Sequence, residues 1–265
     1  MKFALLLAVV FLLVGQAVAQ ETNADKQLPE ELANTTSIVM QDADELETSV
    51  ALDQYKYSHP SSERKSSVAA EFQYGLTDRW ELDAEVPYRF RDFNPGRSFN
   101  GIGDVEAGAR YGVIPLNKGP VALDVGLALG IPTGDRTRDL GDGRLTLEPS
   151  FTASTWLGPV NVQLNGAWER AVSNAGDEPR DEFVYNVAIL YPVRRCVLAL
   201  EGNGISTDQS TEYYVTPELI WKPMPRLELL VAAPIGVTRD AADYGIVASV
   251  TLELDNITHR SIGKD

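Results

Sequence analysis

The chain has 265 residues, a formal net charge of −15 at pH 7 and a single cysteine. One cysteine excludes an internal disulfide. The excess of acids argues against nucleic-acid binding, because phosphate contacts need Lys and Arg. The length suits one large β domain of the barrel kind.

The first twenty residues have the pattern of a secretory signal peptide. Lys2 gives a positive start, residues 3–14 are an almost unbroken apolar run, and Ala17-Val18-Ala19 forms a small-x-small cleavage signature. The apolar run is shorter than the ~20 residues of a spanning helix. We therefore predict a signal peptide over residues 1–20, cleaved near Ala19/Gln20, and an exported protein that would cross a membrane only by strands.

Residues 21–43 are acidic and irregular, and we predict a periplasmic lead-in there. Residues 79–91 then alternate strictly: every even position is apolar, and every odd position except Pro87 is charged. Such a period of two indicates a β-strand with one apolar and one polar face. Twelve segments of this kind are predicted at residues 45–57, 66–76, 79–91, 104–113, 120–131, 144–157, 159–170, 182–192, 196–203, 211–222, 226–237 and 244–254.

The connections between these segments also alternate, being short after even-numbered strands and mostly long and polar after odd-numbered ones. Outer-membrane barrels have this asymmetry of turns and loops. Aromatic residues near the strand ends on the apolar phase are typical of membrane-interface belts. We predict an all-β, up-and-down antiparallel transmembrane β-barrel of about twelve strands over residues 44–254, with a polar tail at 255–265. The predicted location is the outer membrane of a Gram-negative bacterium, in contact with its lipid; a water-soluble barrel is the alternative.

The charged phase of the strands is predicted to face the lumen, because Arg or Lys in hydrocarbon costs ~2–4 kcal/mol near the midplane. The predicted lumen-lining residues are Glu71, Glu81, Asp83, Glu85, Arg89, Arg91, Asp104, Glu106, Arg110, Asp124, Glu148, Glu169, Glu201 and Glu218. Arg89 and Arg91 fall at the mouth, where they would govern what enters.

Two functions fit such a lumen. The acids form a passive, transporter-like conduit for a small solute, or acids and arginines pair across a closed lumen in a structural or adhesion barrel. A barrel of eight strands has an interior filled by side chains, and a barrel of ~16–18 strands has an open aqueous channel, so twelve strands are intermediate. Because acids far outnumber bases, we favour the conduit, with the solute and the oligomeric state left open.

An enzyme is the third and least favoured reading. Ser58, His59 and Glu63 place a serine, a histidine and a carboxylate near one rim, as a rim-located hydrolase would need. A triad is defined by geometry and not by sequence neighbours, and polar loops are rich in serine. We therefore predict no enzyme, no catalytic residue, no cofactor and no metal.

Two stretches carry a resemblance to a known family. Residues 74–82 read YGLTDRWEL, residues 86–88 read VPY, and residues 101–111 read GIGDVEAGARY; residues 132–135 add PTGD. These motifs resemble the bacterial outer-membrane proteins of the meta-pathway phenol-degradation family, which are regarded as transporters. The resemblance implies an outer-membrane β-barrel and uptake of hydrophobic or aromatic compounds, and it supplies no catalytic residues.

Overall fold

A computed structural model describes residues 28–58, 62–93, 96–116, 118–172 and 179–255. Its antiparallel sheet forms a barrel of twelve strands. The strands are β1 (Glu45–Tyr57), β2 (Glu63–Thr77), β3 (Trp80–Phe93), β4 (Arg97–Ile102 and Val105–Ile114), β5 (Val121–Ile131), β6 (Thr146–Leu157), β7 (Val160–Ala171), β8 (Asp181–Val193), β9 (Cys196–Ser206), β10 (Thr211–Met224), β11 (Leu227–Ala232 and Ile235–Gly236) and β12 (Tyr244–Asp255).

The barrel is closed by pairing of the first and last strands. The β1–β12 register runs from Glu45 opposite Asp255 to Lys56 opposite Tyr244. Two strands are interrupted: β4 at Gly103, whose N–H donates to the carbonyl of Pro87 at 2.8 Å, and β11 near Pro234. Proline lacks the N–H that a ladder needs. Closure leaves the sheet without an open edge.

The two faces of the barrel have opposite chemistry. Outward side chains such as Leu52 and Val86 are 48% and 40% exposed, whereas inward Glu81 and Gln163 are both 0% exposed. This is the arrangement of a barrel in lipid, since a water-soluble barrel would turn its apolar face inward. It confirms the predicted fold and rejects the soluble alternative. Among the described residues, no helix is long and apolar enough to cross a membrane.

One prediction about the strands was wrong. Residues 92–103 were expected to form a loop, but Arg97–Ile102 pairs with the upper part of β3 as a short hairpin. This hairpin extends beyond the part of β3 that pairs with Val105–Ile114. Its six residues are too few to give a clear alternation, so the period-two signal was missed there.

The segment before β1 lies inside the barrel. Residues 28–43, which we call the inner segment, form no helix or strand and hydrogen-bond to inward-facing side chains of the barrel. The predicted periplasmic lead-in thus has its described part in the lumen. The chain enters β1 through Asp44, at φ 67°, and passes over Gly75. The predicted signal peptide, residues 21–27 of the lead-in and residues 256–265 of the tail lie outside the described residues.

Candidate functional site in the barrel lumen

The lumen holds the inner segment by its backbone amides. The carboxylate of Glu228 on β11 accepts from the N–H groups of Glu30 and Glu31, both at 3.2 Å. On β9, Glu201 accepts from the N–H groups of Asn34 at 3.1 Å and Thr35 at 3.0 Å. Buried backbone groups need partners, and here carboxylates on the barrel wall take the place of a ladder.

The opposite side of the lumen binds the later part of the segment. Glu81 on β3 accepts from the N–H of Gln41 at 2.8 Å. Arg110 on β4 donates to the carbonyls of Ser37 at 2.7 Å and Val39 at 3.0 Å. Because the bonds reach β3 and β4 on one side and β9 and β11 on the other, the segment crosses the lumen.

Arg110 is the centre of a buried ionic cluster. Its Nη2 lies 2.7 Å from Glu81 Oε1 and its Nη1 lies 3.9 Å from Asp124 Oδ2, with the three side chains almost fully buried. Buried charges are tolerated when they are paired and hydrogen-bonded. The predicted residues Glu81, Arg110 and Asp124 are therefore brought together, and they are joined to the inner segment.

An apolar patch on β8, β10 and β11 faces the inner segment. Leu190, Ile220 and Leu230, on β8, β10 and β11, are 0%, 0% and 2% exposed. Leu28 and Ile38 of the inner segment belong to the same buried cluster. We call the inward side chains of β8–β11 the docking wall, because they combine this patch with carboxylates that bind the segment.

A chain of amides connects the strands of the docking wall to β7. Asn186 Nδ2 donates to Asn165 Oδ1 and to the carbonyl of Asn34, both at 3.0 Å. Asn203 Nδ2 donates to Asn186 Oδ1 at 3.1 Å. On β7, Gln163 accepts from the N–H of Ile38 at 3.0 Å. These neutral groups bind the segment without adding charge to the lumen.

The inward side chains of β2–β6, which we call the charged wall, include acids that are more open than those bound to the segment. Glu106 is exposed, and Asp83, Glu85 and Glu148 are half-buried. A cavity of about 280 Å³ lies between the inner segment and the barrel, with Glu71 and Glu85 among its lining residues. A second cavity of about 520 Å³ lies at the end of the barrel with the short turns.

The predicted residues at the mouth hold a loop. Residues 132–145 connect β5 to β6 and contain a short 3-10 helix, Arg136–Arg138. Asp104 accepts from the N–H groups of Gly134 at 2.8 Å and Asp142 at 2.6 Å. Arg89 Nη1 donates to the carbonyl of Leu140 at 3.4 Å.

Two further predicted residues complete this attachment. Arg91 Nε lies 3.3 Å from Asp139 Oδ2 of the same loop. Glu169 on β7 lies 3.8 Å from the guanidinium of Arg144, where the loop meets β6. Among the lumen-lining predictions, these residues are thus engaged with the loop, whereas Glu201 and Glu218 are engaged with the inner segment; Glu218 accepts from the N–H of Ala33 at 3.3 Å.

Sequence reasoning missed the residues of the inner segment. Asn34, Ser37 and Gln41 lie in a stretch without periodicity, so no pattern indicated that they bind the wall. A signal existed on the wall itself, because residues 187–190 and 229–232 are continuous apolar runs. Such runs indicate a strand that is covered on both faces.

The residues of the hydrolase alternative are only partly described. Ser58 Oγ hydrogen-bonds to the carboxylate of Asp243. His59 lies outside the described residues, so no serine–histidine geometry accompanies that bond.

A closed antiparallel barrel with apolar side chains outside and charged side chains inside is an outer-membrane β-barrel. Its strands are long enough to span, since β1 has 13 residues and a tilted transmembrane strand needs ~9–11. This chain belongs to the family described as "Putative MetA-pathway of phenol degradation", whose sequence model matches residues 92–254. The match confirms the family resemblance, although the motif at residues 74–88 precedes the matched stretch.

A solved channel and two solved porins have a similar fold. The barrel is similar to an outer membrane channel from Pseudomonas putida F1, with a TM-score of 0.66 and 13% identity over 89% of this chain and 100% of that chain. It is similar to the KdgM porin at a TM-score of 0.54 and 11% identity, over 78% and 98% of the two chains. The NanC porin gives 0.53 and 12%, over 79% and 100%. No curated protein sequence matches this chain.

Proposed function

We propose that this protein is an outer-membrane channel for a small solute, and that the inner segment closes its lumen until the segment is displaced. The observation that carries the proposal is the way the segment is bound. Its amides bind side chains such as Glu201 and Glu228, whereas the barrel is closed by the separate β1–β12 ladder. The segment therefore leaves without breaking the sheet.

The lumen that the segment vacates is acidic. Asp83, Glu85 and Glu148 of the charged wall are then joined by Glu201 and Glu218, which lose their backbone partners. Rings of carboxylates favour cations over anions, and they accept hydrogen bonds from neutral solutes with hydroxyl groups. Anionic solutes are disfavoured.

A pocket at the loop end suits an aromatic solute. It has a volume of about 380 Å³ and is lined in part by Phe93, Arg97 and Phe99. The two rings have centroids 6.3 Å apart, and the Arg97 guanidinium lies 5.5 Å from the Phe99 centroid. Since the description of the family concerns phenol degradation, phenols are the first solutes to test.

Ion conductance in planar bilayers tests the channel. We expect small, mostly closed currents from the protein with its inner segment, and larger, steady currents from a variant that lacks residues 28–41. Thr36→Ala is the matched control, because Thr36 is exposed within the segment. If the deletion variant inserts and conducts nothing, the barrel is a closed structural or adhesion barrel.

Block of the ionic current tests the solute. Millimolar phenol is expected to reduce the current of the deletion variant, and Phe99→Ala is expected to weaken that block several-fold. Phe151→Ala is the control, since Phe151 is an exposed ring on the outer face of β6. Equal block of the current in both variants would show that phenol does not bind in the loop-end pocket.

A further inference from the structure

A cluster of oxygen atoms joins the inner segment to the seam of the barrel. Glu30 of the segment, Glu47 of β1 and Glu253 of β12 each place one carboxylate oxygen within 4.8 Å of the others. Glu47 and Glu253 are direct cross-strand partners. Three oxygens at that spacing surround a point within reach of a single ion, because calcium binds oxygen at about 2.3–2.6 Å.

Buried oxygens without partners occur in this cluster and along the seam next to it. Glu47 is 1% exposed, and its Oε1 has no hydrogen-bond partner, while its Oε2 accepts from Gln41 Nε2 at 3.0 Å. Ser49 and Thr251, the next cross-strand pair, are 2% and 1% exposed, and neither hydroxyl has a partner. Unpaired buried polar groups are rare in native proteins and require an explanation.

The inner segment adds one more such atom. Glu31 Oε1 is buried and makes no hydrogen bond of ordinary length, although its carboxylate lies beside the hydroxyls of Ser49 and Thr251. These loosely bound oxygens come from both the segment and the wall, along the seam between β1 and β12.

The charge of this region is unbalanced. Four other carboxylates lie close enough to Glu47 to repel its charge, namely Glu30, Glu31, Glu71 and Glu228. The cation that the described structure places among them is Lys222, whose Nζ lies 2.7 Å from Glu30 Oε1 and 3.2 Å from Glu228 Oε2. One lysine does not neutralise this group, and unpaired buried charges cost several kcal/mol each.

We propose that this cluster binds one divalent cation of the hard, oxygen-seeking class, with calcium as the preferred ion. Its first donors are Glu30, Glu47 and Glu253, whose carboxylate oxygens lie close together, while Glu31, Ser49 and Thr251 lie along the same seam. Calcium takes six to eight oxygens in flexible geometry, whereas magnesium demands a near-ideal octahedron. Donors from two strands and an irregular segment suit the less demanding ion.

The position of the site gives the ion a structural consequence. Its donors include Glu30 of the inner segment and the seam residues Glu47 and Glu253, so a bound cation fastens the segment to the barrel wall. Binding itself is independent of transport; only an effect on conductance rests on the proposed channel function.

Calcium titration of the full chain tests the site. Protein in detergent is stripped with a chelator, and calcium or magnesium is added during isothermal titration calorimetry. We expect one calcium per chain, weaker magnesium binding, and a loss of at least tenfold in calcium affinity in Glu47→Gln. Glu106→Gln is the matched control, because Glu106 is an exposed acid on the charged wall, and it should bind calcium as the unmodified protein does.

A second variant serves as a control for misfolding. Glu253→Gln changes a half-exposed donor at the rim of the site, and its folded state is checked by heat-modifiable gel mobility. It is also expected to lower calcium affinity. No binding of either cation by the unmodified chain, or equal binding by Glu47→Gln and Glu106→Gln, overturns the proposal.

Conductance separates this proposal from the proposed function. In bilayers of phosphatidylcholine, chelation is expected to raise the current of the unmodified protein and to leave Glu47→Gln unchanged. Calcium binding without any current in the deletion variant supports the cation site and contradicts the channel. A channel that opens on deletion, with no calcium binding, supports the channel and rejects the site.

Discussion

The charged wall and the docking wall belong to one barrel and share the same outward alternation, but they differ inside. On the charged wall, Asp83 and Glu85 are half-buried and Glu106 is exposed. On the docking wall, Leu190 and Ile220 are both 0% exposed. An acid in a lumen therefore has two uses: to line water, or to bind the backbone of a peptide.

On the docking wall, two of the acids that bind the segment have apolar neighbours along the same strand. Glu218 lies two residues from Ile220, and Glu228 lies two residues from Leu230, so each carboxylate has an apolar inward neighbour. In such a pair, the carboxylate binds a backbone amide of the segment and the apolar residue packs against one of its side chains. Asp83 and Glu85 instead neighbour each other, and such repelling pairs favour hydration.

The largest effect is expected from a substitution that breaks the contact between the charged wall and the inner segment. Arg110→Ala leaves Glu81 and Asp124 buried without their cation and removes two bonds to the segment. Loss of one partner from a buried pair costs about 3–5 kcal/mol. The free energy of unfolding, measured by urea titration in phospholipid vesicles, should fall by that amount.

The matched control for this change is Arg170→Ala. Arg170 pairs with Asp181 at 2.8 Å, but its side chain is 44% exposed. Exposed pairs contribute about 0–1 kcal/mol. Equal stability of the two variants would show that the Arg110 cluster does not anchor the segment.

The docking wall is tested by Ile220→Ala. Removing a fully buried isoleucine leaves a cavity and costs about 2–5 kcal/mol. The inner segment packs on this patch, so its protection from added protease should also fall. Leu219→Ala, on the outward face of the same strand, should leave that protection unchanged; exposure of the segment in both variants would contradict a specific docking wall.

A smaller effect is expected where the segment leaves the lumen. A Cβ on Gly75 would lie 1.9 Å from the carbonyl oxygen of Asp42. Gly75→Ala should therefore shift the segment and cost about 1–3 kcal/mol, as overpacking does, measured by the same urea titration. Gly202→Ala is the control, because a Cβ there meets nothing within 4 Å; a loss as large in the control would exclude this contact as the cause.

The smallest expected effect lies outside both walls, in the loop that the charged wall holds. The side-chain hydrogen bond from Thr137 lowers the pKa of Asp135, which caps the 3-10 helix. A lowered pKa stabilises this cap above the ordinary value of 3.8, and the benefit is lost as pH falls through the folded pKa. Thr137→Val should raise the pKa of Asp135 in a carboxyl NMR titration.

The Thr137→Val variant also has an expected negative result and an outcome that would contradict the prediction. The docking of the inner segment should not change in Thr137→Val, since Asp135 is an exposed residue of the loop at 132–145 and is not among the wall residues that bind the segment. An unchanged pKa would show that the Thr137 hydroxyl does not bind Asp135 in solution.

Most of the barrel was predictable because its outward face obeys a local rule. The strict alternation at residues 79–91 predicts a strand with one apolar and one polar face, and β3 follows it throughout. Short predicted turns such as Thr77-Asp78 and long predicted loops such as 132–143 reinforced the strand order. These signals come from residues close together in sequence.

The content of the lumen was not predictable in the same way. The bonds of Thr35 to Glu201 and of Gln41 to Glu81 join residues far apart in sequence, and the segment that carries them has no period. An acid that binds an amide and an acid that lines water look the same in a sequence. Arg89 and Arg91, predicted to govern entry, also hold the loop at 132–145; their effect on selectivity stays a prediction.

The short connection from the inner segment to β1 makes docking an intramolecular event. Asp42, whose carbonyl lies over Gly75, is three residues from the start of β1 at Glu45. A short tether gives an effective concentration on the order of millimolar. If the segment as a free peptide bound the lumen with a dissociation constant of about 0.1 mM, the tethered segment would occupy the lumen about nine-tenths of the time. Under the proposed function, weak binding of the tethered segment is thus enough to keep the channel closed, and the segment returns after each opening without a second protein.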